Sequence, residues 1–439
     1  MASARAESPS VDGTMPEDML PGLRPLLKEA VQRSPTTIAA SISLASAESA
    51  RYSDASSLWP SASINSSYQE TTETISRAMP SKQSGLYYSA GIYQPIFEWG
   101  SYKNQAAIGN LGVKIAQRQF AEAYRLLAVS IREQYLGLIG KNVLLRNAQF
   151  NLKLSKEAMM AQKARFEAGA VSEAELGNVR MSQEQAQLDA DRAQEDFDYA
   201  KRVFTRLIGI EELDSASIPL EVPHFELPAP TADAVLAGFV GDGVESTYQN
   251  EVYKMLIKQS DLNYSIAKVR LLPKINASAN YSFSNQTSTD GIMINQVGVQ
   301  AETYALSANW TIFDGFASRG AKLSALAGKR SYERQRQSYV DSMIDQVTNM
   351  RHQLGFSARA MSIAEVRYNL FEAEVKRLHQ DQVLGYASEA SIDSGILTLY
   401  STDYLRVFAR SDLYSRWTEF ISATGIDPVL GNISPSYVR

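Results

Sequence analysis

The sequence predicts a mainly α chain with a small β part, built twice from one helix–strand–strand–long helix–helix unit. Three observations carry that expectation. Two helix breaks share one form, around Gly169-Ala170-Val171-Ser172-Glu173 and around Gly385-Tyr386-Ala387-Ser388-Glu389. Gly169 and Gly385 stand 216 positions apart, and at the same offset Ser172 falls on Ser388, Glu173 on Glu389 and Ala174 on Ala390. A very long run with three/four apolar spacing precedes each break, and a pair of short alternating runs precedes each long run.

Each break reads as a tight reversal between two helices. Glycine takes the left-handed C′ conformation without a Cβ clash, and serine can accept the free N–H groups of the helix that follows.

In chain order, residues 1–20 are small and polar at their start, with Pro9 and Pro16, and are expected to be disordered. The first repeat spans 21–209. It begins with a helical pattern in which Pro35 starts a new helix at its first position. At Trp59-Pro60 the period changes from that of a helix to that of a strand, and strands are expected at 60–69 and 86–96, with a polar loop between them. From Ser101 the pattern is helical again, with an apolar seam at Phe120, Tyr124, Leu127, Ile131, Leu138, Leu145, Ala148 and Leu152. No proline occurs between Pro95 and Pro219. A helix of roughly 65 residues at about 1.5 Å each is roughly 100 Å long. The reversal at 166–173 and a second helix ending at Gly209 complete the repeat.

A proline-rich connector, 210–231, follows, and its Ile218 to Phe225 could form one short strand. The second repeat, 232–425, runs through a helix to about Leu271, strands at 273–283 and 303–313, a turn at Asp290-Gly291, a long helix, the reversal at 382–389 and a last helix. Residues 426–439 are a tail.

Bulk properties narrow the class. The 439 residues are 44% hydrophobic with mean hydropathy −0.23, and no run reaches the roughly 18 apolar residues of a spanning helix. The net charge of −5, with both signs dispersed, argues against a nucleic-acid partner. The absence of cysteine removes disulfides, thiolate catalysis, zinc–thiolate sites and a lipid-bearing cysteine from this chain. The first residues lack a basic region followed by an apolar one, so an exported protein would have lost its signal already. His224, His352 and His379 have no metal-ligand spacing, and there is no phosphate loop or nucleophile elbow, so neither an enzyme nor a cofactor is expected.

The strands are the most informative part. Ile, Leu, Ala, Tyr, Phe and Trp hold one face; Ser, Asn, Thr and Gly hold most of the other; Lys274 is the one charge across the four expected cores. Apolar residues toward lipid and uncharged polar ones toward a water-filled lumen are the pattern of an outer-membrane barrel. Tyr68, Tyr88, Tyr281, Tyr304 and Trp310 are the candidates for lipid-facing aromatics. The plainer reading is an antiparallel sheet packed on helices. The long, narrow-seamed helices weigh against it, because they need neighbours on two sides, as in a closed helical wall. Three copies would supply twelve strands and leave no free sheet edge.

This order of elements, its internal duplication, the strand-to-helix junction Pro95-Ile96-Phe97-Glu98-Trp99-Gly100 and the Gly-x-x-Ser reversals resemble the TolC family of bacterial outer-membrane efflux and secretion channels. The resemblance covers about 20–426. It implies a homotrimer in which a 12-stranded β-barrel, four strands per chain, is continued by an α-helical barrel across the periplasm. It implies, as partners, outer-membrane lipid, a periplasmic adaptor (membrane fusion) protein and, indirectly, an inner-membrane pump (RND or ABC type). By this resemblance Gly169, Ala170, Val171 and Ser172, with Gly385, Tyr386, Ala387 and Ser388, are the adaptor-docking tips. Glu389 and Asp393, four apart on one helix face, and Glu173 and Glu175 are candidates for an acidic periplasmic entrance; a solvated charged face is the alternative. The competing functional class is a helical scaffold or interaction protein with a small soluble β domain.

Overall fold

The computed structural model describes residues 14–74, 81–289 and 294–434. Its elements are α1 (Pro16–Met19), α2 (Leu23–Arg33), α3 (Pro35–Ala55), β1 (Ser61–Glu73), β2 (Ser81–Phe97), α4 (Ser101–Glu167), α5 (Glu173–Ile208), α6 (Ala229–Gly241), α7 (Tyr248–Val269), β3 (Lys274–Thr289), β4 (Ile294–Asn309), α8 (Ala317–Val383) and α9 (Glu389–Ala423). The duplication reaches the helix boundaries themselves. α4 and α8 each have 67 residues, and the starts of α4 and α8, their ends, and the starts of α5 and α9 are all 216 positions apart.

The chain divides into two compact units. One comprises Ser43–Ala116 and Val252–Arg336. It holds a four-stranded antiparallel sheet in the order β1-β2-β3-β4. The strands are longer than the alternation predicts. β1 continues to Glu73 and β2 starts at Ser81, in the region expected as a loop, because Thr71 and Thr72 keep their ladder partners Gln83 and Lys82. β4 starts at Ile294 and stops at Asn309, short of the expected 313. Its last rung is Lys274↔Asn309, and the next position on β3's side is Pro273, which has no N–H to offer the ladder. The Asp290-Gly291 turn lies outside the described residues. In the same unit α3 and α4 approach closely: a Cβ at Gly109 would lie 2.8 Å from Asp54 Cβ.

The other unit comprises Met1–Ile42, Gln117–Glu251 and Gln337–Arg439 and holds the large apolar core. The seam residues Phe120, Tyr124, Leu127, Ile131, Leu138 and Leu145 are buried there against Phe204, Phe225, Trp417 and Phe420; Ala148 and Leu152 are half-buried. Residues 14–20, expected to be disordered, instead contribute: Met15 is buried in this core, Trp417 Nε1 donates to Thr14 Oγ1 at 3.2 Å, and Glu17 pairs with Arg132. Residues 1–13 lie outside those described. The connector is not a strand. Pro219 and Pro223 cannot donate, and the carbonyls of Ile218 and Val222 accept side-chain bonds instead, from Asn142 Nδ2 at 3.0 Å and Arg410 Nη1 at 2.6 Å. Nor is the helix expected over 232–271 continuous. Gly241-Asp242-Gly243 breaks it between α6 and α7. The tail folds as well, with a short 3-10 turn at Pro428–Asn432 capped by Asp427.

Within this unit α5, α4, α9 and α8 pack pairwise in succession. α5 packs on α4 (Tyr135 with Phe204, ring centroids 5.8 Å apart; Lys141 Nζ to Asp196 Oδ2 at 3.0 Å). α4 packs on α9 (Phe150 with Tyr400, 5.0 Å; Arg146 Nη2 to Asp403 Oδ2 at 2.7 Å). α9 packs on α8 (Arg410 Nε to Glu365 Oε1 at 2.6 Å; Ser357 Oγ to Asp412 Oδ2 at 2.5 Å). The order is therefore α5–α4–α9–α8.

Candidate functional site

At the first reversal Gly169 has φ +71°, and α4 is closed by Gly169 N–H to Phe166 O (2.8 Å) and Ala170 N–H to Arg165 O (2.9 Å). These paired bonds are the αL stop that a glycine permits. Ser172 then caps α5. Glu175 N–H donates to Ser172 Oγ (3.3 Å), while Glu175 Oε2 accepts from Ser172 N–H (2.7 Å), a reciprocal capping box. The backbone bond from Ser172, then the one from its hydroxyl, hold the Glu175 carboxyl below its ordinary range.

The second reversal repeats the stop. Gly385 has φ +78°, with Gly385 N–H to Gln382 O (2.9 Å) and Tyr386 N–H to Asp381 O (2.7 Å). Its cap differs. Ser391 stands where the duplication puts Glu175; its N–H donates to Ser388 Oγ at 3.2 Å and the two hydroxyls are 2.8 Å apart. No carboxylate closes this box.

The eight tip residues thus fall on two equivalent reversals. Gly169, Ala170, Ser172, Gly385, Tyr386 and Ser388 are exposed; Val171 and Ala387 are half-buried. Glu173 and Glu389 are exposed in the first turns of α5 and α9, and Asp393 lies one turn further along α9. Glu175 is occupied as a capping group. Sequence reasoning misses the apolar character of the second tip: Val383 and Leu384 are exposed beside Tyr386, with 87% of Val383 open to solvent. The signal is present in the sequence, as two apolar residues, Val383 and Leu384, directly before the glycine.

On the sheet, the register joins the four alternations into two continuous faces. The row Ile64–Ala90–Tyr281–Glu302 and its neighbours Ala62–Ile92–Ala279–Tyr304 and Ser66–Tyr88–Phe283–Gln300 point one way. The rows Asn65–Ser89–Ser282–Ala301 and Ser63–Gly91–Asn280–Thr303 point the other. Tyr68, Tyr88, Tyr281 and Tyr304 share the apolar face, where Tyr88 stacks on Phe283 across strands at 6.4 Å. Trp310 lies past the end of β4; its indole N–H donates to Leu271 O at 3.1 Å. Glu302, the one acid in those three rows, escapes the sequence reading because the expected β4 begins one residue later. Among the described residues no cluster of His, Asp and Glu could hold a metal, and no helix is long and apolar enough to cross a membrane.

The sheet thus has one largely apolar face and one that is polar and free of charge in its central rows, and it is joined along the chain to two pairs of long helices. The model of the outer membrane efflux protein family matches residues 26–209, the first repeat. The fold matches the CmeC outer membrane channel of Campylobacter jejuni with a TM-score of 0.71 at 14% identity, covering 94% of this chain and 89% of that one. The outer membrane protein VceC of Vibrio cholerae matches with a TM-score of 0.65 at 15% identity, covering 93% and 97%. The MtrE outer membrane channel of Neisseria gonorrhoeae, in its open state, matches with a TM-score of 0.67 at 15% identity, covering 97% and 95%. A search of the curated protein sequences finds no match.

Proposed function

We propose that this protein is the exit duct of a tripartite efflux pump or type I secretion system, acting as a homotrimer that passes substrates from a periplasmic adaptor and its inner-membrane pump to the cell exterior. The observation that carries this reading is the sheet. Among the described residues its two edges, β1 and β4, are unpaired within the chain, and one face is apolar while the other is polar without charge in its central rows. Four strands cannot enclose a pore, whereas three copies joined edge to edge give twelve. In this reading Tyr68, Tyr88, Tyr281 and Tyr304 face lipid, and Trp310 anchors at the interface.

The two reversals are the adaptor-docking tips in this reading. Their exposed Gly-x-x-Ser turns and the bare Val383, Leu384 and Tyr386 offer a shallow apolar contact. Glu173, Glu389 and Asp393 would form acidic rings at the mouth once tripled, favouring cations.

The purified protein in a planar bilayer tests the duct. Discrete conductance steps from a detergent-extracted trimer are expected. A fully folded protein that stays monodisperse in buffer without detergent would sink the barrel.

A further inference from the structure

We propose that the hairpin end of the sheet carries, on its polar face, a binding subsite for amphipathic organic cations. Val297 and Val299 on β4 and Tyr87 on β2 form it, and Glu73 on β1 supplies the charge. This rests on the channel reading above and adds the class of molecule held at the mouth.

The observation is an inversion of the alternation within β4. Toward the helix end the even positions Tyr304, Leu306 and Ala308 are apolar, and they share the face of Ile64, Ala90 and Tyr281. On the hairpin side of Glu302 the odd positions Val297, Val299 and Ala301 are apolar, while Gly298 and Gln300 between them are not. A slip of one residue would return them to the apolar face. No slip occurs, because the β3–β4 ladder is regular from Thr289↔Ile294 to Lys274↔Asn309. The three residues therefore stand on the face of Ser67, Gln69, Ser284 and Gln286. There Val297 is 53% and Val299 50% exposed.

The same rows hold the other parts. They read Ser67–Tyr87–Ser284–Val299 and Gln69–Gly85–Gln286–Val297. A Cβ at Gly85 would stand 3.1 Å from Gln286 Cγ and 3.3 Å from Tyr87 Cε2. Glycine at that point lets the phenol ring and the Gln286 stem close over the backbone. Gln83 Nε2 donates to Gln286 Oε1 at 2.7 Å and holds that amide in place. An aromatic ring and two valines, with a serine and a fixed amide between them, thus make an apolar patch in a polar wall.

Charge selects the occupant. Among the described strand residues this face carries two charged side chains, Lys274 at the helix end and Glu73 at the hairpin end. Lys274 is paired with Glu98. Glu73, the last residue of β1, is exposed. A mouth with apolar contacts and an acid but no base on that face favours a cation with an apolar body. The Tyr87 ring adds to the preference, because the face of an aromatic ring attracts a cation.

A chain without cysteine gives the test a clean background. Ala301→Cys keeps both valines and reports from their face; Asn65→Cys, in the same ladder row on β1, is the control. The full chain, reconstituted in lipid vesicles, is labelled with a charged, membrane-impermeant methanethiosulfonate. Tetraphenylphosphonium should slow labelling of Ala301→Cys at least about fivefold and leave Asn65→Cys unchanged. Tetramethylammonium, with the same charge and little apolar surface, should slow neither. Adding Val297→Asn and Val299→Asn should remove the protection, and Glu73→Gln should raise the concentration required about threefold. No protection of Ala301→Cys, equal protection by the two cations, or protection that survives the asparagine pair overturns the subsite. An Ala301→Cys closed to the polar reagent in a protein that is trimeric by light scattering places the stripe toward lipid and also overturns it. A monomeric protein soluble without detergent overturns the channel reading itself.

Discussion

Arg132 and Asp427 form an ion pair closed to solvent on both sides, Nη1 to Oδ2 at 2.6 Å, and the same guanidinium also holds Glu17. One side chain on α4 thereby ties the start of the described chain to its end. Burial lowers the affinity of Arg132 for its proton, but the charge and hydrogen bonds of Asp427, then Glu17, outweigh it.

Removing that arginine should be severe. Arg132→Met leaves two buried carboxylates without a counter-charge, a loss of about 3–5 kcal/mol. Thermal unfolding in detergent checks it. Lys141→Met, which removes the exposed pair with Asp196, should cost about 1 kcal/mol or less.

Glu133 gives stability a pH dependence. Burial, then a hydrogen bond and charge from Glu419, push its carboxyl up to about 7. The folded state therefore holds this proton more tightly than the unfolded chain. The contribution is full below the ordinary carboxylate range and is lost as pH rises through about 7. Melting should occur at a lower temperature at about pH 8 than at about pH 5.5, and Glu133→Gln should flatten that difference. An unchanged pH profile in the variant would refute the pairing.

The caps should differ in strength. Ser172→Ala breaks a reciprocal box and should cost about 1 kcal/mol, and Ser388→Ala, which loses a one-sided cap, somewhat less. Hydrogen exchange in the first turns of α5 and α9 resolves the two.

The glycines test docking. Proline fixes φ near about −65° and cannot adopt the +71° of Gly169 or the +78° of Gly385. Gly169→Pro and Gly385→Pro should leave trimers in the membrane and abolish export of a toxic dye in cells relying on this channel. Normal export would exclude the reversals as docking tips.

Adjacent residues on β3 test the faces. Ala279 shares the apolar row of Tyr304, and Asn280 lies on the other side opposite Thr303. Ala279→Arg should impair membrane assembly by about 2–4 kcal/mol, and Asn280→Arg should assemble and change conductance. Assembly is read as the heat-resistant oligomer on a gel.

The sequence determined the repeat, the two reversals and the alternation of the strands, because each is local. A glycine in αL, a serine cap and a period of two or 3.6 are written in neighbouring residues. That is why the helix boundaries keep their offset of 216. Tertiary structure decided what depends on partners distant in sequence. The strands outran their apolar cores because a ladder continues wherever a partner strand continues. The connector stayed irregular because its carbonyls found Asn142 and Arg410. Thr14 to Leu20, disordered by composition, folded because Glu17 meets Arg132 across 115 positions and Thr14 meets Trp417 across 403. Packing also separated two seams that look alike in sequence. Met361 and Ile363 are both apolar, yet Met361 faces the core and Ile363 faces outward. Only the neighbouring helices distinguish the two opposite sides of α8.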